Sequence, residues 1–290
     1  MIKIGCYSRK GGTGKTCFIF NTAGILARKG FKVLCVDCDD QANLSNRLLK
    51  TYIEKEGMSW FDGRMTFENL FTLPKEVNSA IYHSLIPLRG GEPKKRGIDI
   101  IPSKPSIIGN TDTLVEIEHR IGKEVPYGQI IKAFDNIRRT RDHMYDYDFC
   151  LVDFSGSSSF VNRDILASCD YIVAPCSVDI NSIDGILQLS KMINKIKEDY
   201  QSGVEFLGVF FSVYNNQTSY DKLQIDEARD AVKNLFFDTT IRYSTEIKWS
   251  LHSGVPLAWS KKTAKVTLDY ECLINEIIER LGGYTKCREN

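Results

Sequence analysis

Residues 9–21 read R-K-G-G-T-G-K-T-C-F-I-F-N, and this stretch decides how the rest of the chain is interpreted. A short apolar run at residues 2–7 precedes it, and a helical pattern of apolar residues follows, so the sequence predicts strand, glycine-rich turn and helix. Gly11, Gly12 and Gly14 allow backbone N–H groups to converge. The positive end of the new helix points at the same place, which predicts a phosphate site.

The side chains of the turn indicate a P-loop for a nucleotide. Lys15 can reach the β- and γ-phosphates of ATP, and the Thr16 hydroxyl suits Mg²⁺. The general pattern has glycine where Arg9 stands, and the alternative interpretation is a glycine-rich turn without a ligand. We expect ATP to contact the backbone or side chains of Gly11, Gly12, Thr13, Gly14, Lys15, Thr16 and Cys17.

Lys10 is the second informative residue of the motif. A lysine that opens K-G-G-T-G-K-T resembles the deviant Walker A motif of the ParA/MinD family of ATPases. The resemblance implies that Lys10 binds the nucleotide of the other protomer in an ATP-sandwich homodimer and contributes to catalysis there. An additional cation beside three phosphates needs a partner, and a second nucleotide would supply one. The alternative is a solvated lysine beside Arg9.

Acidic residues follow the next predicted strand, residues 32–36, in the sequence D-C-D-D-Q-A-N-L-S at residues 37–45. Ligands bind at the carboxyl ends of strands in α/β sheets, so Asp37 and Asp39 are candidates for Mg²⁺ and its waters. The stretch resembles the ParA pattern D-x-D-P-Q-x-N. That resemblance implies that Asp39 orients the attacking water as a catalytic residue and that Asp37 supports the metal shell. Asp40 stands where the family usually has proline. The alternative to a role with Mg²⁺ and its waters is that these acids are solvated residues of a loop.

Two further sites depend on the same context. Residues 148–153 form an apolar strand that ends in Asp153, the Walker B arrangement, and Asp153 would hold Mg²⁺ through water. The alternative is an ordinary strand end, and residues 154–158 depart from the family's T-P-P-S.

Asn215 lies in the loop where the family contacts the base. Its amide could hydrogen-bond adenine, and a plain asparagine turn is the alternative.

The order of elements predicts an α/β fold. Seven strands alternate with helices, at residues 2–7, 32–36, 98–102, 148–153, 171–175, 206–213 and 237–241. This order predicts a doubly wound, mainly parallel sheet with helices on both faces, a P-loop NTPase of SIMIBI-like type. We expect one domain over residues 1–290, with a variable excursion of short helices and a loop at about 50–97 and a polar tail at 283–290. The family resemblance covers residues 2–281.

Composition limits the function classes. The 290 residues are 42% hydrophobic and 26% charged with a net charge of +1, so any DNA binding needs a local patch or a dimer. Lys94, Lys95 and Arg96 could touch DNA, but a solvated loop is the alternative. Cys35 and Cys38 form a C-x-x-C spacing that we interpret as strand packing, and the nine cysteines suit a reducing cytosol. We expect neither a signal peptide nor a membrane span.

The resemblance implies a ParA-type partition ATPase that uses ATP and Mg²⁺. An ATP-bound homodimer would bind DNA non-specifically, and a ParB-type centromere-binding partner would stimulate slow hydrolysis, in the cytoplasm at the nucleoid. We expect no N-terminal helix-turn-helix domain and hence no operator-specific repression.

Three other classes of protein are alternatives to this function. A MinD-like membrane-associated ATPase needs a basic amphipathic C-terminal helix, which Glu271, Glu276 and Glu279 oppose. A P-loop metabolic kinase or ligase needs a substrate pocket with its own polar residues. An iron–sulfur carrier resembling the nitrogenase iron protein needs cysteines at residues 154–159, where there are none.

Overall fold

The computed structural model of the chain describes residues 1–87, 92–105, 128–137, 146–156, 160–178, 182–212, 219–232 and 234–283. The strands of these residues are β1 (Ile2–Cys6), β2 (Val33–Cys38), β3 (Tyr82–Ile86), β4 (Lys94–Ile101), β5 (Phe149–Phe154), β6 (Tyr171–Cys176) and β7 (Glu205–Phe211). They form one sheet of order β3-β4-β2-β5-β1-β6-β7. Every neighbouring pair is parallel except β3 with β4.

Helices connect the parallel strands. They are α1 (Lys15–Arg28), α2 (Asn43–Leu48), α3 (Lys50–Glu56), α4 (Gln129–Ile137), α5 (Phe160–Ser168), α6 (Ser182–Tyr200), α7 (Ser219–Ala231), α8 (Thr245–Ser253), α9 (Leu257–Ser260) and α10 (Lys265–Arg280). Three 3₁₀ turns, Gly57–Phe61, Phe67–Phe71 and Pro74–Ala80, lie between α3 and β3. None of the helices described is both long and apolar enough to cross a membrane.

Both faces of the sheet are buried, because successive side chains of a strand point to opposite sides. Along β2, Val33 and Cys35 pack in one apolar core with residues of α1 and α10. Leu34, Val36 and Cys38 pack in a second core with residues of α4, α5 and α6. The predicted fold class, a doubly wound and mainly parallel sheet with helices on both faces, is therefore confirmed.

The same alternation explains the C-x-x-C spacing. Cys35 and Cys38 are both fully buried, and they belong to the two opposite cores of the sheet. Both thiols are free, and burial raises the pKa of each well above its usual value. These facts agree with strand packing rather than a redox or metal pair.

The loop predicted before residue 98 is wrong for residues 94–97. Lys94–Ile101 is a strand that pairs with β3 in an antiparallel hairpin at the edge of the sheet. Lys94 and Lys95 are exposed there, in the part of β4 that pairs with β3 alone, because the pairing of β4 with β2 begins at Ile98. The composition of the segment indicated a loop, whereas its pairing with β3 makes it a strand.

The strand predicted at residues 237–241 is also wrong. One isolated bridge joins Phe236 to Val209 of β7. Beyond it, the amides of Asp238 and Thr239 donate to the Glu276 carboxylate of α10, at 2.7 and 2.9 Å. The amides of Phe237 and Ile241 still donate to the carbonyls of Val209 and Phe211 in β7, both at 2.8 Å. The Thr239 amide between them donates to a side chain of a distant helix instead, which interrupts the ladder. The seventh strand of the sheet is β3 instead, and the predicted tail beyond residue 283 lies outside the described residues.

Candidate nucleotide-binding site

The candidate site lies where three central strands end. In the register of the sheet, Asp153 of β5 is the partner of Cys6 of β1 on one side and of Asp37 of β2 on the other. The P-loop, which begins at Arg9, follows shortly after β1 ends at Cys6. The parallel arrangement therefore places the glycine-rich turn and both predicted acidic strand ends at one edge of the sheet.

The P-loop has the backbone that phosphate binding requires. Gly12 and Gly14 have φ values of 75° and 90°, a left-handed conformation that disfavours other residues. Helix α1 begins directly after Gly14, with no side-chain cap and no acidic residue in its first turn. The first amides of the helix are consequently available to an anion.

Lys15 lies over the inner side of this loop. Its Nζ donates to the Ser8 carbonyl at 3.2 Å and to the Lys10 carbonyl at 3.5 Å. On the other side, a Cβ added at Gly156, just after β5, would lie 3.8 Å from the same Nζ. Lys15 is thus held between the P-loop and the segment that follows Asp153, at the place where phosphates would meet the helix.

Asp153 is the strongest candidate for metal binding. It is fully buried, and among the described residues no donor makes a hydrogen bond of good geometry to either carboxylate oxygen. Burial raises the pKa of Asp153 well above its usual range and the charge of Asp37 raises it further, whereas the nearby Thr16 hydroxyl and the charge of Lys15 oppose this rise. A buried carboxylate with such weak donor contacts fits a cation such as Mg²⁺, which Asp153 and Thr16 would hold.

Asp37 has a different environment from the one predicted for a metal-shell residue. Its Oδ2 accepts hydrogen bonds from the Ser45 amide (2.8 Å) and hydroxyl (2.7 Å), and its Oδ1 accepts one from the Asp39 amide (3.2 Å). Burial raises the pKa of Asp37 to about 7, and the Ser45 hydrogen bonds oppose this rise. Asp37 thus fixes the turn after β2, and its metal role stays a prediction.

Asp39 and Asp40 lie on that turn and are partly exposed. The Asp39 Oδ1 accepts a hydrogen bond from the Gln41 amide at 3.1 Å. Partial burial raises the pKa of Asp39, Asp40 adds to the rise, and Lys15 lowers it. Ala42, which ends the turn, has a left-handed backbone with a φ of 49°, a conformation that costs about 1–2 kcal/mol for a residue with a Cβ.

The remaining predicted loop residues lie in the same place. The Thr13 hydroxyl donates to the Lys10 carbonyl at 3.4 Å, and the Thr13 carbonyl accepts a hydrogen bond from Ser212, which follows β7. Burial raises the pKa of the Cys17 thiol to about 11, so the thiol is uncharged at neutral pH and does not repel a phosphate. Sequence reasoning missed Ser212, because nothing near it in the sequence marks a contact with the P-loop.

Lys10 lies on the outer side of the loop. Its side chain is exposed, and its Nζ donates to the Ser177 hydroxyl after β6 at 3.2 Å. The structure therefore assembles the P-loop residues, Asp37, Asp39 and Asp153 at one edge of the sheet. Asn215 and residues 157–158 lie outside the described residues, so the predicted contact of Asn215 with adenine stays a prediction.

Comparison with known proteins identifies relatives of the whole chain. Residues 1–206 match the family model described as "AAA domain". The chromosome-partitioning ATPase Soj of Treponema pallidum is 22% identical over 275 residues, which cover 95% of this chain and 96% of Soj.

Solved structures share the fold. An ATP complex of McdA from Cyanothece has a TM-score of 0.74 and 17% identity, with 99% of each chain covered. The septum site-determining protein MinD of Pyrococcus horikoshii, complexed with Mg-ADP, has a TM-score of 0.67 and 20% identity, with 98% of this chain and 99% of MinD covered. At these identities the structural likeness shows the fold alone.

Proposed function

Because this chain belongs to the ParA/MinD family of P-loop ATPases, we propose that it is a ParA-type partition ATPase. In this proposal, ATP and Mg²⁺ bind between two protomers, and the resulting homodimer binds DNA without sequence preference. A ParB-type centromere-binding partner then stimulates slow hydrolysis, which releases the dimer from DNA at the nucleoid.

Such a reaction needs positioned charges rather than a covalent intermediate. Bound Mg²⁺ would neutralise charge on the β- and γ-phosphates. The protein's part is to hold the phosphates with the P-loop amides and Lys15, and to orient the attacking water with Asp39. Asp153 and Thr16 would retain the metal, and the closed turn after β2 would keep Asp39 close to Lys15, whose charge lowers the Asp39 pKa.

The different positions of the two P-loop lysines carry this proposal. Lys15 bonds carbonyls on the inner side of its own loop, whereas Lys10 is exposed and reaches Ser177 on the outer side. A lysine that binds only the nucleotide of its own protomer is expected on the inner side of the P-loop, where Lys15 lies. An exposed ammonium beside the phosphate site suits the phosphates of a facing protomer.

We expect Lys10→Ala to separate ATP binding from dimerisation. The variant should bind ATP within about threefold of the wild-type affinity, because Lys15 and the loop amides remain, but it should not dimerise with ATP. Hydrolysis should fall at least about tenfold, since cations supplied to a transferring phosphoryl group contribute more than that. Light scattering with a non-hydrolysable ATP analogue measures the dimer.

Arg9→Ala is the matched control, because Arg9 is an equally exposed cation one residue earlier, and its guanidinium bonds Gln188 at 3.2 Å. That variant should dimerise as the wild type does. A normal ATP-dependent dimer of Lys10→Ala would leave Lys10 as a solvated residue and remove the main support for the sandwich.

An exposed surface near the C-terminus has the chemistry for DNA. We define the C-terminal basic surface as Tyr243, Lys248, Trp249, Lys261 and Lys262. Tyr243 and Trp249 are 48% and 47% exposed, and Lys248 and Lys261 lie 5.5 and 5.6 Å above their rings. Lys261 also pairs with Glu246 at 3.3 Å, so the exposed Lys248 and Lys262 are the cations that this surface offers to phosphates, and a dimer would carry two such surfaces.

We expect the double substitution Lys248→Glu and Lys262→Glu to weaken ATP-dependent DNA binding at least about tenfold, because non-specific binding depends on phosphate contacts. The salt dependence should become shallower by roughly one unit of log–log slope per lost contact. Filter binding to random DNA at several salt concentrations measures both quantities.

The matched control is Lys191→Glu with Lys195→Glu, which makes the same charge change on two exposed lysines of α6. Equal losses in the two double variants would show a general charge effect and contradict the assignment of the surface. Wild-type protein that ignores DNA with ATP but binds liposomes would favour the MinD-like rival. Protein that binds neither would favour a metabolic enzyme.

A further inference from the structure

The excursion between α3 and β4 contains a buried carboxylate without an assigned role. Glu68 lies in the 3₁₀ turn Phe67–Phe71 and is 8% exposed. The backbone that leads into Glu68 is held by two hydrogen bonds: the Thr66 amide donates to the Asn69 side chain (2.8 Å), and the Phe67 amide donates to the Pro102 carbonyl (2.8 Å) after β4. Glu68 is therefore held against the end of β4, the strand next to β2.

A continuous chain of hydrogen bonds joins Glu68 to the nucleotide site. The Ser103 hydroxyl donates to the Glu68 Oε1 at 2.6 Å, and the Ser103 amide donates to the Ser45 hydroxyl oxygen at 3.0 Å. The Ser45 hydroxyl in turn donates to the Asp37 Oδ2 at 2.7 Å. Ser103 thus donates to both sides, through its hydroxyl to Glu68 and through its amide to Ser45, and so joins Glu68 at the end of β4 to Asp37 of β2.

Every residue in this series of hydrogen bonds is buried, so breaking any one of the bonds costs free energy. Asp37, Ser45 and Ser103 have no exposed surface. A buried polar group that loses its partner costs about 1–3 kcal/mol, and linked hydrogen bonds polarise one another in a low-dielectric interior. The orientation of one member therefore constrains the next.

At its other end, this series of hydrogen bonds reaches Asp37 and the turn that carries Asp39, the residue proposed to orient the attacking water. The Asp37 carboxylate accepts the amides of Asp39 and Ser45, which span the turn that holds Asp39. A change in the Asp37 orientation would move Asp39 relative to Lys15. Misplacement by about 1 Å is enough to lower a rate about 10²-fold.

We propose that Glu68 is a positioning residue: through Ser103 and Ser45 it fixes the Asp37 carboxylate and with it the turn that carries Asp39. For its effect on hydrolysis, this inference rests on the proposed ATPase function. The excursion, which the sequence left without a role, thereby becomes part of the support for the reacting groups. A purely structural Glu68 would stabilise the fold without affecting this turn.

The test compares Glu68→Gln with Asp164→Asn. Asp164 of α5 is the matched control, since it is a buried carboxylate that accepts the backbone amides of Gly128 (2.7 Å) and Ile130 (3.2 Å), as Glu68 accepts the Lys104 amide (3.1 Å), but none of the amides in the turn after β2. Each substitution keeps the shape of the side chain but removes charge and one acceptor. Both variants should lose thermal stability to a similar extent.

Hydrogen exchange of the nucleotide-free protein gives the first readout, and it does not depend on ATPase activity. In Glu68→Gln, peptides that contain the Asp39 and Ser45 amides should exchange at least about tenfold faster, because their acceptor Asp37 is no longer held. In Asp164→Asn these peptides should exchange as in the wild type. Equal exchange in the two variants would overturn the inference.

Hydrolysis gives the second readout. Glu68→Gln should lower kcat about 10–100-fold with the ATP Kd within about threefold, as is typical when groups that orient a site are changed. Asp164→Asn should retain wild-type kcat. If the wild type does not hydrolyse ATP, the proposed function fails, while exchange still decides whether the chain fixes the turn.

The double variant Glu68→Gln/Ser45→Ala tests the chain itself. If Glu68 acts through Ser45, the double variant should lose no more kcat than the more impaired single variant, within about twofold, whereas independent effects would multiply. Multiplied losses would overturn the inference. Should Glu68→Gln not fold, Ser103→Ala breaks the same chain with the removal of one hydroxyl.

Discussion

Lys15→Ala is expected to lose ATP binding. The Lys15 ammonium lies between the P-loop and Gly156, where it would meet the β- and γ-phosphates. Removal of one partner from a desolvated, hydrogen-bonded charge pair costs about 2–5 kcal/mol, which corresponds to a loss of affinity of about 30-fold to several thousand-fold. Isothermal titration with ATP and Mg²⁺ measures this loss.

Lys29→Ala is the matched control for this experiment. Lys29 follows the last residue of the same helix, about 21 Å from Lys15 along the axis at about 1.5 Å per residue, and its Nζ bonds Asn275 at 3.2 Å. The control should bind ATP as the wild type does. Wild-type affinity in Lys15→Ala would contradict the assignment of the P-loop.

Local sequence was sufficient to predict the centre of the fold. Strands β2 and β5 are buried on both faces, so each is an apolar run in which the penultimate residue is a carboxylate. Once the strands are parallel, Asp37 and Asp153 must lie at the same edge as the P-loop, and the register places them side by side. The site at the sheet edge therefore followed from pattern and topology alone.

Features that depend on distant side chains could not be predicted in this way. Glu276 binds the amides of Asp238 and Thr239 from a helix nearly forty positions later, and this contact interrupts the strand expected there. The hydrogen bonds from Glu68 to Asp37 run through Ser103, which follows β4, and Ser45 of α2, so they join segments that are distant in the sequence. No periodicity or motif in the sequence records either contact.

The structure also distinguishes two carboxylates that the sequence treated alike. Asp37 and Asp153 were both expected to serve the metal. Among the described residues, Asp37 accepts three hydrogen bonds, whereas the Asp153 oxygens accept none of good geometry. We infer that Asp153 is the primary metal carboxylate and that Asp37 acts mainly through the turn that it holds.

The second large effect that we expect is a loss of ATP hydrolysis in the Asp39→Ala variant. Asp39 is partly exposed at the start of the turn after β2, and the Lys15 charge lowers its pKa against the rise caused by burial. A water-orienting carboxylate contributes about 10²–10⁴-fold to a rate, and kcat should fall by that factor. ATP affinity should change little, because Lys15, Thr16 and Asp153 remain.

Asp40→Ala is the matched control, since Asp40 is a neighbouring, similarly exposed acid of the same turn. It replaces the proline of the family pattern, and the exchange to alanine should leave kcat within about threefold of the wild type. If Asp40→Ala loses hydrolysis and Asp39→Ala does not, the two acids have exchanged roles. Loss of ATP binding in Asp39→Ala would instead make Asp39 a residue for metal binding or folding.

The DNA-bound state provides the final test of Asp39→Ala. A variant that binds ATP without hydrolysing it should accumulate as the ATP-bound dimer, and on the proposed function that dimer should stay on DNA while the wild type dissociates. Retention on random DNA, followed over time after ATP addition, separates the possibilities. A stable ATP dimer of Asp39→Ala that ignores DNA would preserve the nucleotide switch but contradict the partition function, because the switch would then control another partner.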